Sequence, residues 1–495
     1  MNLADEHLKQ LDDASLTDSE RALLRCRVAA DLIRAGRYEV AGVSLGELWH
    51  GVGRRPNVEG LDENATAEVL QQTGALSGWI GASQQLTGAQ DAAKDLLSES
   101  AALFERLGET AKAAFARSDL AVCYWREGAY DEARVLLARA SDEMAGEKAE
   151  RRAIVLLRWV TVECAAGRLH DALGLLKQAA TLLGGSENHA LRASFHNMHA
   201  VTLRRLGAVE AGGDYYDRAI IEYTAAIYHY ELAGIERHAA VIGNNLAFLL
   251  YKLGRYADAH EHLARSQSSL TLLKDDGNLA QGYETCARVL IAEGRYREAG
   301  REIAAAVRTL EQGGEAARLA DALAVQGVAW ARLGNNESSV EVLRRAVCVA
   351  EAAGALNSAA AAALTLIEEH GGRRELTEAE LYDLYRRADG LLKGTQDAEG
   401  LAQLRACAQI VMKRMAGVQF DEHNFSLFGA VHEVEARLIG QALEQAGGSV
   451  TRAAKLLGMH HQTLTSMLLT RHKHLQSKRT PPEKRLKSII KEIKD

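Results

Sequence analysis

The sequence predicts an all-α protein, and three observations support this fold class. Residues 57–480 contain no proline, a residue that would interrupt helices. Little of the chain shows the β-branched, alternating pattern of strands. A glycine pattern also recurs about every 40 residues along most of the chain. With 495 residues, 47% hydrophobic and 25% charged, the chain is long enough for an extended array of folded helices.

The recurring pattern consists of a glycine, an often aromatic residue two positions later and a small residue five positions later. Its glycines are Gly36, Gly88, Gly128, Gly167, Gly254, Gly294 and Gly334. Seven residues before them lie the small or slim residues Ala29, Gly81, Ala121, Val160, Ala247, Ala287 and Gly327. The glycine allows a tight turn between two antiparallel helices, and the small residue lets them approach closely.

This pattern resembles that of tetratricopeptide repeats. The spacing from Gly254 to Gly294 is 40 residues, whereas the usual repeat has about 34, so each helix pair is expected to be longer. The resemblance implies a right-handed solenoid whose first helices line a concave surface.

Two repeats are irregular. The repeat before Gly254 keeps its frame up to Gly207, and residues 207–213 are predicted to be inserted in its turn. The 52 residues from Gly36 to Gly88 predict an enlarged loop at residues 51–63, which contains Pro56.

A ninth, degenerate pair is predicted after the eight repeats, at residues 357–369 and 377–392. Thr377 and Glu380 have the spacing of a capping box at the start of its second helix. We therefore predict a solenoid at residues 1–393, followed by a linker at 394–428 that contains a connecting helix at 401–415.

A helix-turn-helix is predicted near the end of the chain, within a domain at residues 429–475. Ser449 can cap a first helix, and Gly458 suits the left-handed residue that ends it. A second helix follows, with Leu464 and Leu468 one turn apart and facing inward. In a helix-turn-helix, the second helix lies in the major groove of DNA.

These residues resemble the Fis-type helix-turn-helix. The residues that carry the resemblance are Thr451-Arg452-Ala453-Ala454, Leu457-Gly458-Met459, Thr463-Leu464 and Leu468, preceded by a helix at 433–444 and by Gly447-Gly448. The resemblance covers residues 431–471 and implies a bacterial, DNA-binding, dimeric module. The family usually has Asn at Ser449, Arg at His461 and basic residues at Thr465 and Ser466, so the target sequence cannot be transferred.

The charge distribution supports a nucleic-acid partner at one end only. The net charge is -7, but residues 451–495 contain eleven Lys/Arg against three Asp/Glu, a local balance of +8 that leaves -15 elsewhere. Residues 476–495 form a basic tail in which an amphipathic helix is predicted from Thr480 onward. This helix is interpreted as docked on its own protein, with a dimer contact or a DNA-backbone contact as alternatives.

The DNA-binding candidates fall into two groups. Base edges would be read by short polar side chains of the second helix, His460, His461, Gln462, Thr463, Thr465 and Ser466. Phosphates would be held by Arg452, Lys455, Arg471, Lys473, Lys478 and Arg479, with Ser449 and Thr451 at the start of the first helix. Two modules on half-sites about 34 Å apart would bind more tightly than one, which favours a homodimer.

An effector site is predicted on the concave face. Asn197 and Asn244 have the same inward position in two neighbouring repeats, and their amides could hold an extended peptide. The other candidates are Arg204, Phe248, Tyr251 and Arg288. The alternative interpretation is solvated helix surface and packing between repeats.

Three patterns that could suggest an enzyme or a metal site are interpreted as structural. Residues 42–46 match G-x-S-x-G, but that motif follows a strand and this one lies in a helical repeat. His196 with His199, and His260 with His262, have no carboxylate or cysteine at ligand spacing. No G-x-x-x-x-G-K-[ST] phosphate loop occurs. We expect no catalytic residues, no metal and no cofactor.

The six cysteines are far apart and are expected to be small buried residues in a reducing compartment. No run of 18 apolar residues and no signal peptide is evident, so no membrane contact and a cytoplasmic location are expected. The sequence thus predicts a transcriptional regulator with double-stranded DNA and a protein, peptide or small-molecule effector as its partners. The alternative is a protein–protein adaptor whose C-terminal helices only dimerise.

Overall fold

The structure, a computed structural model, describes residues 15–34, 36–83, 86, 88–210, 213–313, 316–373, 375–393, 398–416, 427–478 and 480. Its α-helices are α1 Asp18–Arg34, α2 Tyr38–Leu45, α3 Glu63–Ser83, α4 Ala89–Arg106, α5 Thr110–Arg126, α6 Tyr130–Glu143, α7 Ala149–Ala165, α8 Leu169–Leu183, α9 His189–Val209, α10 Tyr215–Leu232, α11 Glu236–Lys252, α12 Tyr256–Leu272, α13 Asp276–Ala292, α14 Tyr296–Gly313, α15 Ala316–Arg332, α16 Asn336–Ala352, α17 Leu356–His370, α18 Glu378–Leu391, α19 Ala398–Ala416, α20 Leu427–Gln445, α21 Val450–Leu456 and α22 His461–Thr470. Short 3-10 helices cover Gly46–Leu48 and Lys473–Lys478. These ranges contain no β-strand, which confirms the predicted fold class.

Helices α1 to α16 form eight consecutive antiparallel pairs over the described residues. The second helix of one pair packs on the first helix of the next, as in a tetratricopeptide-like solenoid. Helices α17 and α18 lie where the two helices of the degenerate ninth repeat are predicted, at residues 357–369 and 377–392. Its capping box is present, because Thr377 Oγ1 accepts from the Glu380 amide at 3.3 Å and the Glu380 carboxylate accepts from the Thr377 amide at 2.9 Å.

The repeated glycines end the first helix of most pairs, as the pattern predicts. Gly254 has a φ of 73° and Gly294 a φ of 77°, in the left-handed region that favours glycine. The amide of Arg255 donates to the Leu250 carbonyl at 2.9 Å, which closes the turn after α11. Tyr256 then begins the second helix of that pair.

Gly207 differs from this prediction. It lies inside α9, which continues to Val209, so no turn begins at this glycine. A Cβ at Gly207 would lie 2.8 Å from the ring of Tyr216. The glycine therefore provides space for an aromatic ring of the next helix, and part of the predicted insertion extends α9.

The small residues before the turns are required by close helix packing. A Cβ at Gly81 would lie 2.2 Å from the Cβ of Ala89, and a Cβ at Gly327 would lie 2.4 Å from Cγ of Leu343. Real Cβ atoms do not approach other atoms this closely, so any larger side chain would push the two helices of a pair apart.

The enlarged first repeat has its extra residues between α2 and α3, as predicted. The chain forms the short 3-10 helix Gly46–Leu48, buries Trp49 at 6% exposure and then continues as a loop to α3. Three glycines of this loop, Gly51, Gly53 and Gly60, have positive φ.

The prediction that all six cysteines are buried is wrong for two of them. Cys26, Cys123, Cys164 and Cys407 are buried, whereas Cys286 is half-buried and Cys348 is exposed. Cys348 is an exposed residue of α16, so packing does not require a small side chain there. All six are free thiols.

The chain divides into two compact units. One comprises Met1–Glu369 and Arg386–Leu404, and the other comprises His370–Tyr385 and Arg405–Asp495. The first contains the helix pairs up to α16, and the second contains α20 to α22. The predicted domain boundaries at residues 393, 428 and 475 remain predictions. None of the described helices is long and apolar enough to cross a membrane.

Candidate functional site

Helices α20, α21 and α22 enclose one small apolar core. Leu443 of α20, Ala453 of α21, and Leu464 and Leu468 of α22 are fully buried in it. Because these residues lie on one side of each helix, the opposite sides of α21 and α22 face solvent. Leu464 and Leu468 thus face inward as predicted.

The two ends of α21 are fixed by local interactions. Ser449 is its N-cap, and the Ser449 hydroxyl accepts from the Arg452 amide at 3.5 Å. After α21, Gly458 has a φ of 64°, and the amide of Met459 donates to the Ala454 carbonyl at 2.9 Å. The sharp turn that the sequence predicts between the two helices is therefore present.

The solvent-facing side of α22 carries the residues predicted to read base edges. His460, His461, Gln462, Thr463 and Ser466 are exposed, whereas Thr465 is half-buried. The Thr465 hydroxyl donates to the His461 carbonyl at 2.8 Å within the helix. The rings of His460 and His461 lie 4.8 Å apart between centroids. This face can offer short donors and acceptors to a partner.

The predicted phosphate-binding cations are in different environments. Arg452, Lys455 and Lys473 are exposed and form no ion pair among the described residues. Thr451, at the start of α21, is also exposed. Arg471 lies 3.6 Å from Glu435, and Lys478 lies 2.5 Å from Glu444, both acids of α20. Arg479 lies outside the described residues, as does the predicted tail helix after Thr480. The three cations without acidic partners are therefore the most available for a polyanion.

Two contacts of this unit were not anticipated from the sequence. His472 is buried between helices, 3.1 Å from the Glu435 carboxylate, and its ring lies 5.0 Å from that of His432. Thr480 returns to the turn before α21, where its hydroxyl donates to the Gly447 carbonyl at 2.8 Å. A Cβ at Gly448 would lie 2.2 Å from that hydroxyl oxygen. The Gly447-Gly448 pair was visible in the sequence, but its distant partner was not.

A cavity of about 1430 Å³ lies within the first unit, among helices of the first five pairs and beside Ile235, which precedes the sixth. Its wall includes Trp79 of α3, Phe115 of α5, Arg158 of α7, Asn197 of α9 and Tyr230 of α10. Most of these residues lie on the first helix of their pair, so the cavity lies on the surface that is predicted to be concave.

The first pair meets α10 and α11 beside this cavity. A Cβ at Gly36, in the turn between α1 and α2, would lie 2.7 Å from Cε1 of His238. Burial, with a smaller effect of Arg237, lowers the pKa of His238. The His238 ring also packs against Tyr230 at 5.2 Å. The first and sixth pairs are thus in contact although about 200 residues separate them in the sequence.

Polar side chains connect the first helices across the cavity wall. The Gln71 amide donates to the Asp119 carboxylate at 2.9 Å, and Asp119 pairs with Arg158. Burial raises the pKa of Asp119, and Arg158 and Gln71 oppose this effect. Arg158 also lies over the ring of Phe115 at 4.6 Å. These contacts join α3, α5 and α7 in one network.

The six predicted effector residues are not brought together in one site. Asn197 is the one among them that lines the cavity, and its Oδ1 is buried without a hydrogen-bond partner. Asn244 is 7% exposed, and its Oδ1 likewise has no partner. Asn197 and Asn244, which have equivalent positions in neighbouring repeats, thus both have a buried Oδ1 atom without a hydrogen-bond partner. Their role in effector binding remains a prediction.

The other four predicted effector residues have partners within the solenoid. Burial raises the pKa of Tyr223 in the neighbouring helix α10, and the positive charge of Arg204 partly opposes this rise. The rings of Phe248 and Tyr251 lie 5.9 Å apart on α11. Arg288 pairs with Glu284 at 2.5 Å within α13, and its side chain lies near Tyr251. These contacts support packing between repeats, the alternative interpretation of this surface.

The histidines of α9 do have a carboxylate neighbour, contrary to the sequence interpretation. Glu222 of α10 lies 2.6 Å from His196 Nδ1 and 3.0 Å from His199 Nδ1. Burial alone would raise the pKa of Glu222, but the two histidines lower it to about 2. The turn of α10 that aligns Glu222 could not be read from local spacing.

A further pair of histidines adjoins this group. His189 and His229 share a hydrogen bond of 2.9 Å between their Nδ1 atoms, and the His196 ring stacks on His229. Within the described ranges, no group of three His, Cys, Asp or Glu is arranged to hold a metal ion.

Comparison with known families places the C-terminal helices among helix-turn-helix modules. The family described as "Bacterial regulatory protein, Fis family" matches residues 430–466, the segment that contains α21 and most of α22's exposed face. The Fis-type resemblance drawn from the sequence is thereby confirmed. No curated protein matches the chain.

Comparison with solved structures supports the solenoid. The chain is similar to a signal-transduction ATPase with a tetratricopeptide repeat sensor from Pyrococcus horikoshii, at 12% identity and a TM-score of 0.50, over 82% of this chain and 54% of that one. Aspartyl phosphate phosphatase F from Bacillus subtilis matches at 13% identity and a TM-score of 0.47, over 70% of this chain and 88% of its own. Yeast Tom70 matches at 12% identity and a TM-score of 0.44, over 84% of this chain and 86% of its own. At 12% identity, the similarity to the Pyrococcus horikoshii protein shows the fold alone.

Proposed function

We propose that this protein is a DNA-binding transcriptional regulator whose repeat solenoid binds an effector. The observation that carries the proposal is the two-sided nature of α22. Its apolar side, with Leu464 and Leu468, fills the core, while His461 and Gln462 project into solvent. A helix held in this way by a preceding helix and a sharp turn can enter the major groove, where short polar side chains meet base edges.

Electrostatics supports the same role. Arg452 and Lys455 of α21 and Lys473 after α22 flank the exposed face and have no acidic partners among the described residues. Cations in this position bind phosphates and fix the orientation of the module without reading sequence. The match to a bacterial regulatory family and the solenoid fold are consistent with a bacterial regulator that has separate DNA and effector surfaces.

Three further features belong to this proposal. The protein acts as a homodimer on two half-sites about 34 Å apart, since one module with few free cations binds weakly. It works in the cytoplasm, where its DNA is located. It binds its partners without catalysing a reaction, and its effector is a protein, a peptide or a small molecule.

The proposal is tested by measuring binding of the full-length protein to a pool of genomic DNA fragments between about 50 and 200 mM salt. We expect affinity to fall steeply with salt, because each neutralised phosphate contributes about 0.9 to the slope of log K against log salt. The variant Arg452→Ser with Lys455→Ser should lower that slope by about 2.

A matched control removes two exposed cations of the solenoid, Lys177→Ser with Arg297→Ser, and should leave the slope unchanged. Binding that does not respond to salt, or that is equally affected by both pairs of substitutions, contradicts the proposal. The protein would then be better described as an adaptor whose C-terminal helices serve dimerisation.

A further inference from the structure

The size of the solenoid cavity restricts its ligand. Pockets for drug-sized molecules usually measure about 300–1,000 Å³. The cavity here measures about 1430 Å³ and is open to solvent on the inner side of five helix pairs. A single metabolite would leave much of it filled with water, whereas a peptide segment could contact several helices at once.

The charges on the cavity wall favour an anion. Six lining side chains are cationic and four are acidic, and three of the four acids are paired with cations. Asp31 pairs with Arg34, Glu68 lies 3.1 Å from Lys112, Asp119 pairs with Arg158, and Glu150 accepts from Ser186 at 2.6 Å. Glu150 is the one acid of the wall without an ion pair among the described residues.

Two of the cations have no such partner. The side chains of Arg27 of α1 and of Lys148, which precedes α7, form no ion pair or hydrogen bond among the described residues. Both are exposed to the cavity, so neither pays a desolvation cost in the absence of a ligand. They provide two separated attachment points for carboxylates.

An unsatisfied acceptor lies on the same wall. Asn197 Oδ1 is buried and has no hydrogen-bond partner, although buried polar atoms are almost always paired. The Asn197 side chain is half-buried, and its rotation toward the cavity would let the acceptor take a hydrogen bond from a backbone N–H of an extended peptide. The network of Gln71, Asp119 and Arg158 joins the neighbouring helices α3, α5 and α7 on the same wall.

Apolar surface completes the wall. Trp79, Phe115, Ile154 and Met198 line the cavity between the charged positions. Burial of apolar ligand side chains against them would contribute about 25 cal/mol per Å². The cavity therefore combines attraction for carboxylates with an apolar floor.

We propose that this cavity binds a short acidic peptide that also carries apolar side chains, with its carboxylates at Arg27 and Lys148 and a backbone amide at Asn197. The inference rests on the proposed role of the solenoid as the effector-binding unit. It assigns that role to the first five pairs rather than to the surface around Phe248, Tyr251 and Arg288.

The experiment uses two fluorescent pools of short random-sequence peptides, matched in length and apolar content. One pool contains glutamate and the other contains lysine as its charged residue. Anisotropy with the full-length protein should show tighter binding of the glutamate pool. The variant Arg27→Glu with Lys148→Glu should weaken that binding about tenfold, because two ionic contacts become repulsive.

The control variant Lys177→Glu with Arg297→Glu changes the net charge equally but lies outside the cavity, and it should retain the preference. If the cavity variant does not show the helical circular dichroism of the wild type, Arg27→Gln with Lys148→Gln replaces it, with a smaller loss expected. Absence of binding by either pool, equal binding of both, or equal losses in the cavity and control variants overturns the inference.

DNA binding is measured on the same samples so that the two proposals fail separately. If the wild type does not bind DNA but prefers the glutamate pool, the proposed regulator function is wrong and the peptide assignment of the cavity stands. Intact DNA binding without a glutamate preference does the reverse.

Discussion

The close packing within each helix pair makes a quantitative prediction at Gly81. A Cβ at this position would lie 2.2 Å from the Cβ of Ala89, whereas carbon atoms in contact are about 3.5–4.0 Å apart. Neither group can rotate away, so α3 and α4 would have to separate locally by about 1.3 Å or more. Overpacking of this kind costs about 1–3 kcal/mol.

The substitution Gly81→Ala should therefore destabilise the protein despite its better helix propensity. Alanine is favoured over glycine in a helix by about 1 kcal/mol, which offsets part of an overpacking cost near 3 kcal/mol and leaves a net loss of about 2 kcal/mol. Gly174, in the exposed middle of α8, is the matched control, since a Cβ there meets nothing within 4 Å. Gly174→Ala should stabilise by up to about 1 kcal/mol.

The assay is urea unfolding of the full-length protein, followed by helical circular dichroism. The double variant Gly81→Ala with Ala89→Gly restores the missing space, so its loss should be smaller than the sum of the two single losses. Equal midpoints for Gly81→Ala and Gly174→Ala, or strict additivity in the double variant, would refute the packing argument.

Two other substitutions test contacts described above. In Gly448→Ala, the new Cβ would clash with Thr480, so this variant should destabilise the C-terminal module by more than the cost of a left-handed alanine, about 1–2 kcal/mol. In Gly447→Ala the Cβ meets nothing within 4 Å, so only that cost is expected. Thermal unfolding of both variants provides the comparison. The pKa of His238 is lowered in the folded protein, whereas in the unfolded chain a histidine titrates at about 6.5. Below that pH the unfolded chain binds more protons than the folded protein. His238 should therefore lower the stability by up to about 1.4 kcal/mol for each pH unit below about 6.5. His238→Gln should make the stability difference between pH 7.5 and 5.5 smaller, and an unchanged difference would contradict this assignment.

Much of the fold could be predicted because its signals are local. The glycine before Tyr256 or Tyr296 ends one helix and begins the next, and both residues lie within a few positions of the turn they form. Gly207 was misread because a glycine can serve a turn or a close contact. The ring of Tyr216, which decides between them, belongs to the next helix, α10.

The candidate sites divide along the same line. The helix-turn-helix was predictable because Ser449, Gly458 and Leu464 lie within about one hairpin of each other. The cavity was not, because it depends on the contact between Gly36 and His238 and on side chains drawn from five pairs. The spacing within one repeat identified Asn197 but could not show that Arg204 would instead lie near Tyr223.

The central claim is that the exposed side of α22 reads DNA sequence. The most direct measurement compares affinity for a selected genomic fragment with affinity for a scrambled fragment, in the wild type and in His461→Ala with Gln462→Ala. Contacts to base edges contribute about 1–3 kcal/mol of discrimination each, while phosphate contacts set the salt dependence.

The account predicts that the double variant loses at least about tenfold of the specificity ratio and keeps its salt slope and its fold. A ratio equal to that of the wild type would contradict the claim, because DNA would then be bound by another surface.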